Sequence, residues 1–300
     1  MSKVKIAVVG AGLMGHGIAQ VFALAGHEVT ITDALAVSLD TVKSRISTNL
    51  RDLGDDPTAV ERVRPIADLA EAVTGSDYVV EAVSENLELK KKIFAELERR
   101  TRPDTILASN TSVIPITAIM QDLSRRERAV GTHWWNPPFL VPLVEVIGTQ
   151  WTSPQVIART MELHAAAGKT PAHVKKDVPG FIGNRLQHAL WREAISLVEH
   201  GICDAKTVDD VVKASFGRRL AVLGPIENAD QVGTDLTLAI HDIVLPAIEN
   251  RPGPSPYLQN LVANGKLGFK SGEGFRKWSP EEQAALRTRV MKHLKAMRDT

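Results

Sequence analysis

The 300-residue chain predicts an α/β fold, a doubly wound parallel sheet, followed by an all-helical C-terminal domain. Three observations predict it. Short apolar, β-branched runs alternate with helical patterns over roughly the first two hundred residues, the signature of parallel βαβ units. A glycine-rich turn follows the first run and opens a helix. After Pro179 the strand signal fades and amphipathic helical spacing replaces it.

In order, strands are predicted over 4–9, 28–32, 78–82, 105–108, 129–133 and 143–147, with helices over 14–25, 37–53, 87–100 and 116–123. The 87–100 segment places Glu88 with Lys92 and Glu96 with Arg100 at i,i+4, the favourable order for a solvated helix face. Beyond residue 180, Ile182, Leu186, Leu190 and Ala194 recur at spacing four and predict a helix over 181–199. Further helices are predicted over 205–216 and 234–249, before the proline-rich break at 251–256. The change in composition divides the chain into a dinucleotide-binding domain, 1–178, and a helical domain, 179–300.

Composition excludes several function classes. Lys plus Arg number 36 against 35 Asp plus Glu, a net charge of +1, without the basic surplus that nucleic acid or an anionic membrane requires. Cys203 is the single cysteine, so the chain offers no internal disulfide and no thiolate zinc cluster. Four residues after its two tyrosines, Tyr78 and Tyr257, stand Ala82 and Leu261, so a Tyr-x-x-x-Lys dehydrogenase pair is absent. No long uninterrupted apolar run predicts a membrane span, and the N-terminus lacks a cleavage-site pattern. A cytoplasmic protein is the expectation.

Gly10-Ala11-Gly12-Leu13-Met14-Gly15 is a G-x-G-x-x-G between the first strand and helix. In that context it predicts a Rossmann-type dinucleotide site. Gly10 permits the tight turn, Gly12 the approach of a pyrophosphate, and Gly15 close helix–strand packing. The anion would sit at the helix N-terminus, where unpaired N–H groups and the macrodipole favour it. Asp33, at the end of the second strand, suits ribose hydroxyls and repels a 2′-phosphate, and no arginine follows at once. NAD is therefore the expected cofactor. A glycine turn without ligand is the plainer alternative.

His133 stands at a predicted strand end, and Glu145 lies inside the apolar run Leu143-Val144-Glu145-Val146-Ile147. A carboxylate there is costly to bury unless paired, and an imidazole partner would be oriented and made more basic by it. Such a pair is a general base suited to neutral pH. A satisfied structural histidine would fit the same spacing. Ser109-Asn110-Thr111-Ser112 follows a strand at a carboxyl end, where such sheets bind ligands, and equally suits a helix cap. Asn184 lies just past the boundary, either facing a cleft or exposed on an ordinary helix.

Together these motifs resemble the L-3-hydroxyacyl-CoA dehydrogenase family, 3-hydroxybutyryl-CoA dehydrogenases in particular, across essentially the whole chain. The resemblance rests on the glycine loop, Val80-Glu81-Ala82 with Glu85-Asn86 and Lys90, 109–112, and His133 with Asn136-Pro137. It continues through Glu145 in its strand, Pro179-Gly180-Phe181-Ile182 with Asn184-Arg185, and Gly268-Phe269-Lys270-Ser271-Gly272-Glu273-Gly274-Phe275. It implies that His133 takes the proton of a 3-hydroxyl while hydride passes to the nicotinamide, with Glu145 holding the ring. It implies Ser112 and Asn184 at the reacting oxygen. Glu85, Lys90, Asn110, Asn136 and Lys270 would contact the cofactor. A homodimer formed by the helical domain and a place in fatty-acid metabolism are also implied.

Two departures bear on the substrate. Acyl-CoA members carry a lysine-rich helical pair after the second strand, but here Lys43 is the only lysine between Asp33 and Asp68, beside Arg45, Arg51, Arg62 and Arg64. Asp52, Asp55, Asp56 and Glu61 offset those arginines, leaving few cations for the phosphates of CoA. The run Arg218-Arg219-Leu220-Ala221-Val222-Leu223-Gly224-Pro225 looks more like the carnitine and gulonate 3-dehydrogenase branch. Arg219 could there grip a substrate carboxylate, or be a surface residue. The expected substrate is accordingly a short 3-hydroxyacyl-CoA, or else a small 3-hydroxy acid or alcohol without CoA. A non-catalytic NAD-binding protein of crystallin type is the contrasting class, which the joint presence of Ser112, His133, Glu145 and Asn184 disfavours.

Overall fold

A computed structural model describes residues 3–298. The strands are β1 (Lys5–Val9), β2 (Glu28–Thr32), β3 (Val63–Pro65), β4 (Tyr78–Glu81), β5 (Ile106–Ser109), β6 (Ala129–Trp134), β7 (Leu143–Ile147) and β8 (Thr170–Val174). The helices among them are α1 (Leu13–Leu24), α2 (Ala36–Asp40), α3 (Val42–Leu53), α4 (Leu69–Val73), α5 (Leu87–Arg100), α6 (Ile116–Met120) and α7 (Pro154–Ala166). After β8 come α8 (Gly183–Glu199), α9 (Ala205–Ala214), α10 (Pro225–Val232), α11 (Thr234–Val244), α12 (Pro256–Ala263) and α13 (Pro280–Arg298). By contacts the chain forms two compact units, Met1–Arg185 with Lys292–Thr300, and Leu186–Met291.

The first unit is one sheet in the order β3-β2-β1-β4-β5-β6-β7-β8. Both faces are covered: Ile6 and Val8 pack with Ile18, Phe22 and Ile31, whereas Ala7 and Val9 pack with Val79, Phe94 and Leu107. Double-sided burial is why these strands read as continuous apolar runs.

The sheet departs from the expected parallel arrangement at one place. Strand β7 runs antiparallel to β6, with His133 registered against Glu145. The connection 135–142 is shorter than the dozen or so residues a crossover needs, so the chain returns as a hairpin. Two further strands went unpredicted. Both β3 and β8 are edge strands and contain Pro65 and Pro171, which only an edge tolerates and which mask the strand pattern. The helix predicted over 37–53 is broken at Thr41, whose hydroxyl donates back to Val37 O (2.8 Å), a bond that bends helices.

The second unit is helical. Helices α9, α10 and α11 have no buried residues. The 268–277 loop closes on itself through Gly268–Glu273 and Glu273–Lys277 bridges. A cavity of about 600 Å³ within this unit is lined by Trp191, Ile195, Leu258, Phe275, Trp278 and Lys270, among others. No described helix of the chain is long and apolar enough to cross a membrane.

Candidate active site

The glycine loop is fixed from several sides. Gly10 has φ 107° and donates its N–H to Thr32 O (2.7 Å), and a Cβ on it would stand 2.6 Å from Ala82 O. A Cβ on Gly15 would come within 1.7 Å of Gly10 O, so α1 can cross the loop only there as glycine. At Gly12 a Cβ would meet nothing within 4 Å. Protein packing therefore gives no reason for glycine at 12, whereas a pyrophosphate approaching the backbone does. Gly12 caps α1 without a side-chain bond, and the first turn carries no acid, so its N–H groups stay available to an anion. Asp33 Oδ2 accepts from Ala11 N (2.6 Å) and Oδ1 from Leu35 N (2.8 Å). A carboxylate has about four acceptor positions, so ribose hydroxyls can still be served. These residues fit NAD.

The antiparallel register brings His133 Nδ1 to 2.7 Å from Glu145 Oε2, with His133 only 4% exposed. The other carboxylate oxygen, Oε1, accepts from Ile182 N (2.8 Å) and Gly183 N (3.0 Å). Burial pushes the Glu145 carboxyl up, but bonds from His133, Gly183 and Ile182 outweigh it and hold the group below its ordinary value. The two N–H groups converge because Phe181, a buried non-glycine residue, turns the chain at φ 51°. Its ring lies 5.6 Å from the imidazole, and that of Trp135 lies 5.3 Å away. A side chain at Gly183 would strike Trp135 at 2.5 Å.

Beside the dyad, Asn184 Nδ2 donates to Ser112 O (2.9 Å), which brings those two predicted residues together. Glu85 holds the same loop, its Oε1 accepting from Thr111 Oγ1 (2.6 Å), Ser112 N (2.8 Å) and Val113 N (3.1 Å). Burial raises the Glu85 carboxyl, but these bonds and Lys90 bring it below the usual range. Asn110 ties the end of β5 to β6 by accepting from Trp134 N (2.9 Å).

Lys90 requires a correction. Expected to contact the cofactor, it is 0% exposed, its ammonium 2.7 Å from Glu81 and 3.4 Å from Glu85. Fully covered and paired, it supports the loop from beneath. Glu81 also accepts from Val83 N (2.8 Å) and Ser109 Oγ (2.7 Å), a network that the sequence reading missed. A glutamate ending the apolar run Tyr78-Val79-Val80 was its available signal. Asn136 is exposed, and its bond to Pro137 is cis. In the second unit, Lys270 borders the helical cavity and Arg219 is exposed after the 3₁₀ turn Phe216–Arg218. Among the described residues no group of three His, Cys, Asp or Glu could hold a metal.

A mostly parallel sheet with a glycine cradle and a buried imidazole–carboxylate pair defines the class of nicotinamide-dependent dehydrogenases. The comparisons narrow that class. Residues 5–178 match the family model "3-hydroxyacyl-CoA dehydrogenase, NAD binding domain", and residues 180–278 match "3-hydroxyacyl-CoA dehydrogenase, C-terminal domain". The chain belongs to the 3-hydroxyacyl-CoA dehydrogenase family, NAD-dependent oxidoreductases acting on CH–OH.

It is 38% identical to 5-formyl-3-hydroxy-2-methylpyridine 4-carboxylate 5-dehydrogenase of Mesorhizobium japonicum, over 98% of this chain and 96% of that one. It is also 38% identical to a probable 3-hydroxybutyryl-CoA dehydrogenase of Deinococcus radiodurans, covering 91% of this chain and 100% of the relative. The solved structure of an NAD+-dependent pyridine-carboxylic-acid dehydrogenase of the first kind superposes with TM-score 0.92 at 36% identity, over 99% and 97% of the two chains.

Proposed function

We propose that the chain oxidises the 3-hydroxyl of a 3-hydroxyacyl substrate to the 3-keto product, reversibly, with His133 as the general base. The observation that carries this reading is the buried 2.7 Å contact between His133 Nδ1 and Glu145 Oε2. An ionised Glu145 can only accept, so the ring proton sits on Nδ1 and the Nε2 lone pair is left for a substrate hydroxyl. As that proton arrives, the imidazolium forms against a buried carboxylate, which stabilises it. Bound NAD+ supplies the hydride acceptor. In the reverse direction His133 returns the proton to the carbonyl oxygen.

We assign to the reacting oxygen Ser112, on a loop that Glu85 holds through Ser112 N (2.8 Å), and Asn184, in the first turn of α8. Asp33, Glu85, Asn110 and Asn136 would line the cofactor site, with Lys90 supporting from below. In the helical domain, 179–300, Lys270 is assigned to the cofactor and Arg219 to a substrate carboxylate. We also propose a cytoplasmic homodimer. Support comes from α10 and α11, which leave Ile226, Leu236, Leu238, Ile240 and Ile243 exposed, more apolar surface than a lone helical unit keeps in water.

A short-chain 3-hydroxyacyl-CoA is the substrate the family suggests. A second reading, a small hydroxy acid or ring alcohol without CoA, is favoured by where the arginines after β2 go. Arg45 donates to Ala11 O and Ser38 O (2.6 and 2.7 Å), Arg62 to Ala23 O (3.2 Å), and Arg51 lies 3.7 Å from Asp52. Arg45 and Arg62 are thus engaged by main-chain carbonyls, which leaves fewer cations for CoA phosphates. The near full-length likeness to the pyridine-carboxylate enzyme supports the same reading.

NADH oxidation rates with acetoacetyl-CoA, acetoacetate and ring ketoacids separate the two. Faster turnover of the thioester supports the first reading; equal or faster turnover of a free acid refutes it. Replacing His133 by Ala should lower kcat by about 10²–10⁴ with NADH binding retained, and near-normal turnover would overturn the base assignment.

A further inference from the structure

We propose that Arg45 is a positioning residue for the dinucleotide, setting the peptide planes of the glycine loop without touching the ligand. Its Nη2 donates to Ala11 O (2.6 Å) and to Ser38 O (2.7 Å), and its Nη1 reaches Gly12 O (3.3 Å). From the other side, His16 Nδ1 lies 2.8 Å from the same Gly12 O. Burial holds His16 below its ordinary value, which favours the neutral ring, and an Nδ1–H would donate to that carbonyl.

A trans peptide is planar, and its C=O and N–H point in opposite directions. Turning Ala11 C=O toward Arg45 therefore turns Gly12 N–H away from it. Gly12 C=O, which also accepts the helical bond from His16 N (3.3 Å), is held by Arg45 and the His16 ring in the direction that does the same for Leu13 N–H. Those two N–H groups open the helix at Gly12, where a Cβ would meet nothing within 4 Å. Asp33 completes the clamp: it fixes Ala11 N (2.6 Å), so Ala11 is gripped at its N–H by an anion and at its C=O by a cation. The charged groups facing the Arg45 guanidinium are thus Asp33 and, when protonated, His16.

A forked donor is needed because the accepting carbonyls diverge, on residues 11, 12 and 38. A lysine could satisfy one of them at a time. Arg45 thereby belongs to the cofactor site, although it lies in the segment where acyl-CoA relatives keep cations for their substrate.

The test measures binding as well as rate. Dissociation constants for NADH, by fluorescence, and for ADP-ribose, by calorimetry, are compared in wild type, Arg45→Gln and Arg45→Lys, with urea unfolding as the check on folding. The loss expected for Arg45→Gln is about ten- to hundredfold for both ligands, the worth of a charge-assisted hydrogen bond. Arg45→Lys should fall between Gln and wild type. Turnover at saturating cofactor should fall far less than affinity. Unchanged ADP-ribose binding in folded Arg45→Gln, full recovery by Lys, or a loss confined to kcat would each overturn the proposal. Should Arg45→Gln fail to fold, the Lys variant alone decides by the same comparison.

Discussion

Replacing Glu145 by Gln tests the dyad while leaving the fold in place. The amide oxygen can still accept from Ile182 N and Gly183 N, which Glu145 now receives at 2.8 and 3.0 Å. The amide NH₂ would then face His133, which Glu145 approaches at 2.7 Å. Nδ1 becomes an acceptor, the proton moves to Nε2, and the ring can no longer take one from a substrate. With charge centres about 4 Å apart, a carboxylate and a ring cation attract by about 4 kcal/mol at an effective dielectric near 20, or about 10³ in rate. Loss of the correct tautomer acts in the same direction, and the comparable change in a serine-protease triad costs about 10⁴. Steady-state NADH absorbance should therefore show kcat reduced by about 10³–10⁴, with NADH affinity by fluorescence and the urea midpoint close to wild type. Glu145→Ala, in contrast, removes the acceptor of two part-buried N–H groups and should also lose about 1–3 kcal/mol of stability in all. A kcat for Glu145→Gln within tenfold of wild type would refute the reasoning.

The two loop glycines should separate binding from folding. Gly12→Ala meets no protein atom within 4 Å, so its melting temperature should stay unchanged while KM for NAD+ rises about tenfold or more. Gly15→Ala would drive a Cβ to 1.7 Å from Gly10 O and should fail to fold normally; a well-folded Gly15→Ala, seen by circular dichroism, would contradict the packing described. Buried His164, held at about pH 4 by desolvation, should make the native state acid-sensitive. The unfolded ring binds its proton near pH 6.5 but the folded ring only near 4, so unfolding takes up a proton between them and stability falls as pH drops through that window. The full effect is about 3 kcal/mol, and His164→Phe should flatten the urea-midpoint profile between those two pH values. Removing the Lys90 ammonium as Lys90→Met leaves Glu81 buried and unpaired; a loss of about 3–5 kcal/mol in urea unfolding is expected, and a neutral result would contradict the pairing at 2.7 Å.

What could be read from the sequence follows burial. Strand β1 was legible because both its faces are covered and its run from Ile6 to Val9 is apolar throughout. The edge strands β3 and β8 were not, since Pro65 and Pro171 look like loop residues until an edge position excuses them. His133 and Glu145 stood out because a glutamate inside an apolar strand demands a partner, and the hairpin supplies it. Their antiparallel pairing was invisible in an otherwise parallel pattern. The joint hold of Glu85 and Asn184 on the loop carrying Ser112 joins residues 27 and 72 positions away along the chain, distances that no local periodicity reports. Arg45 was read only as one of several arginines offset by nearby acids, whereas the fold gives its fork three carbonyls.

The hairpin that pairs His133 with Glu145 also says how such a protein can change. Because the two residues face each other across a ladder, main-chain bonds set their separation, and a slip of one residue in either strand would turn that strand's member of the pair to the opposite face. The pairing therefore holds only while that register holds. The glycine loop, Ser112, Glu85, Asn184 and both members of the dyad all precede Leu186. Substitutions confined to Leu186–Met291 therefore leave every one of these residues in place.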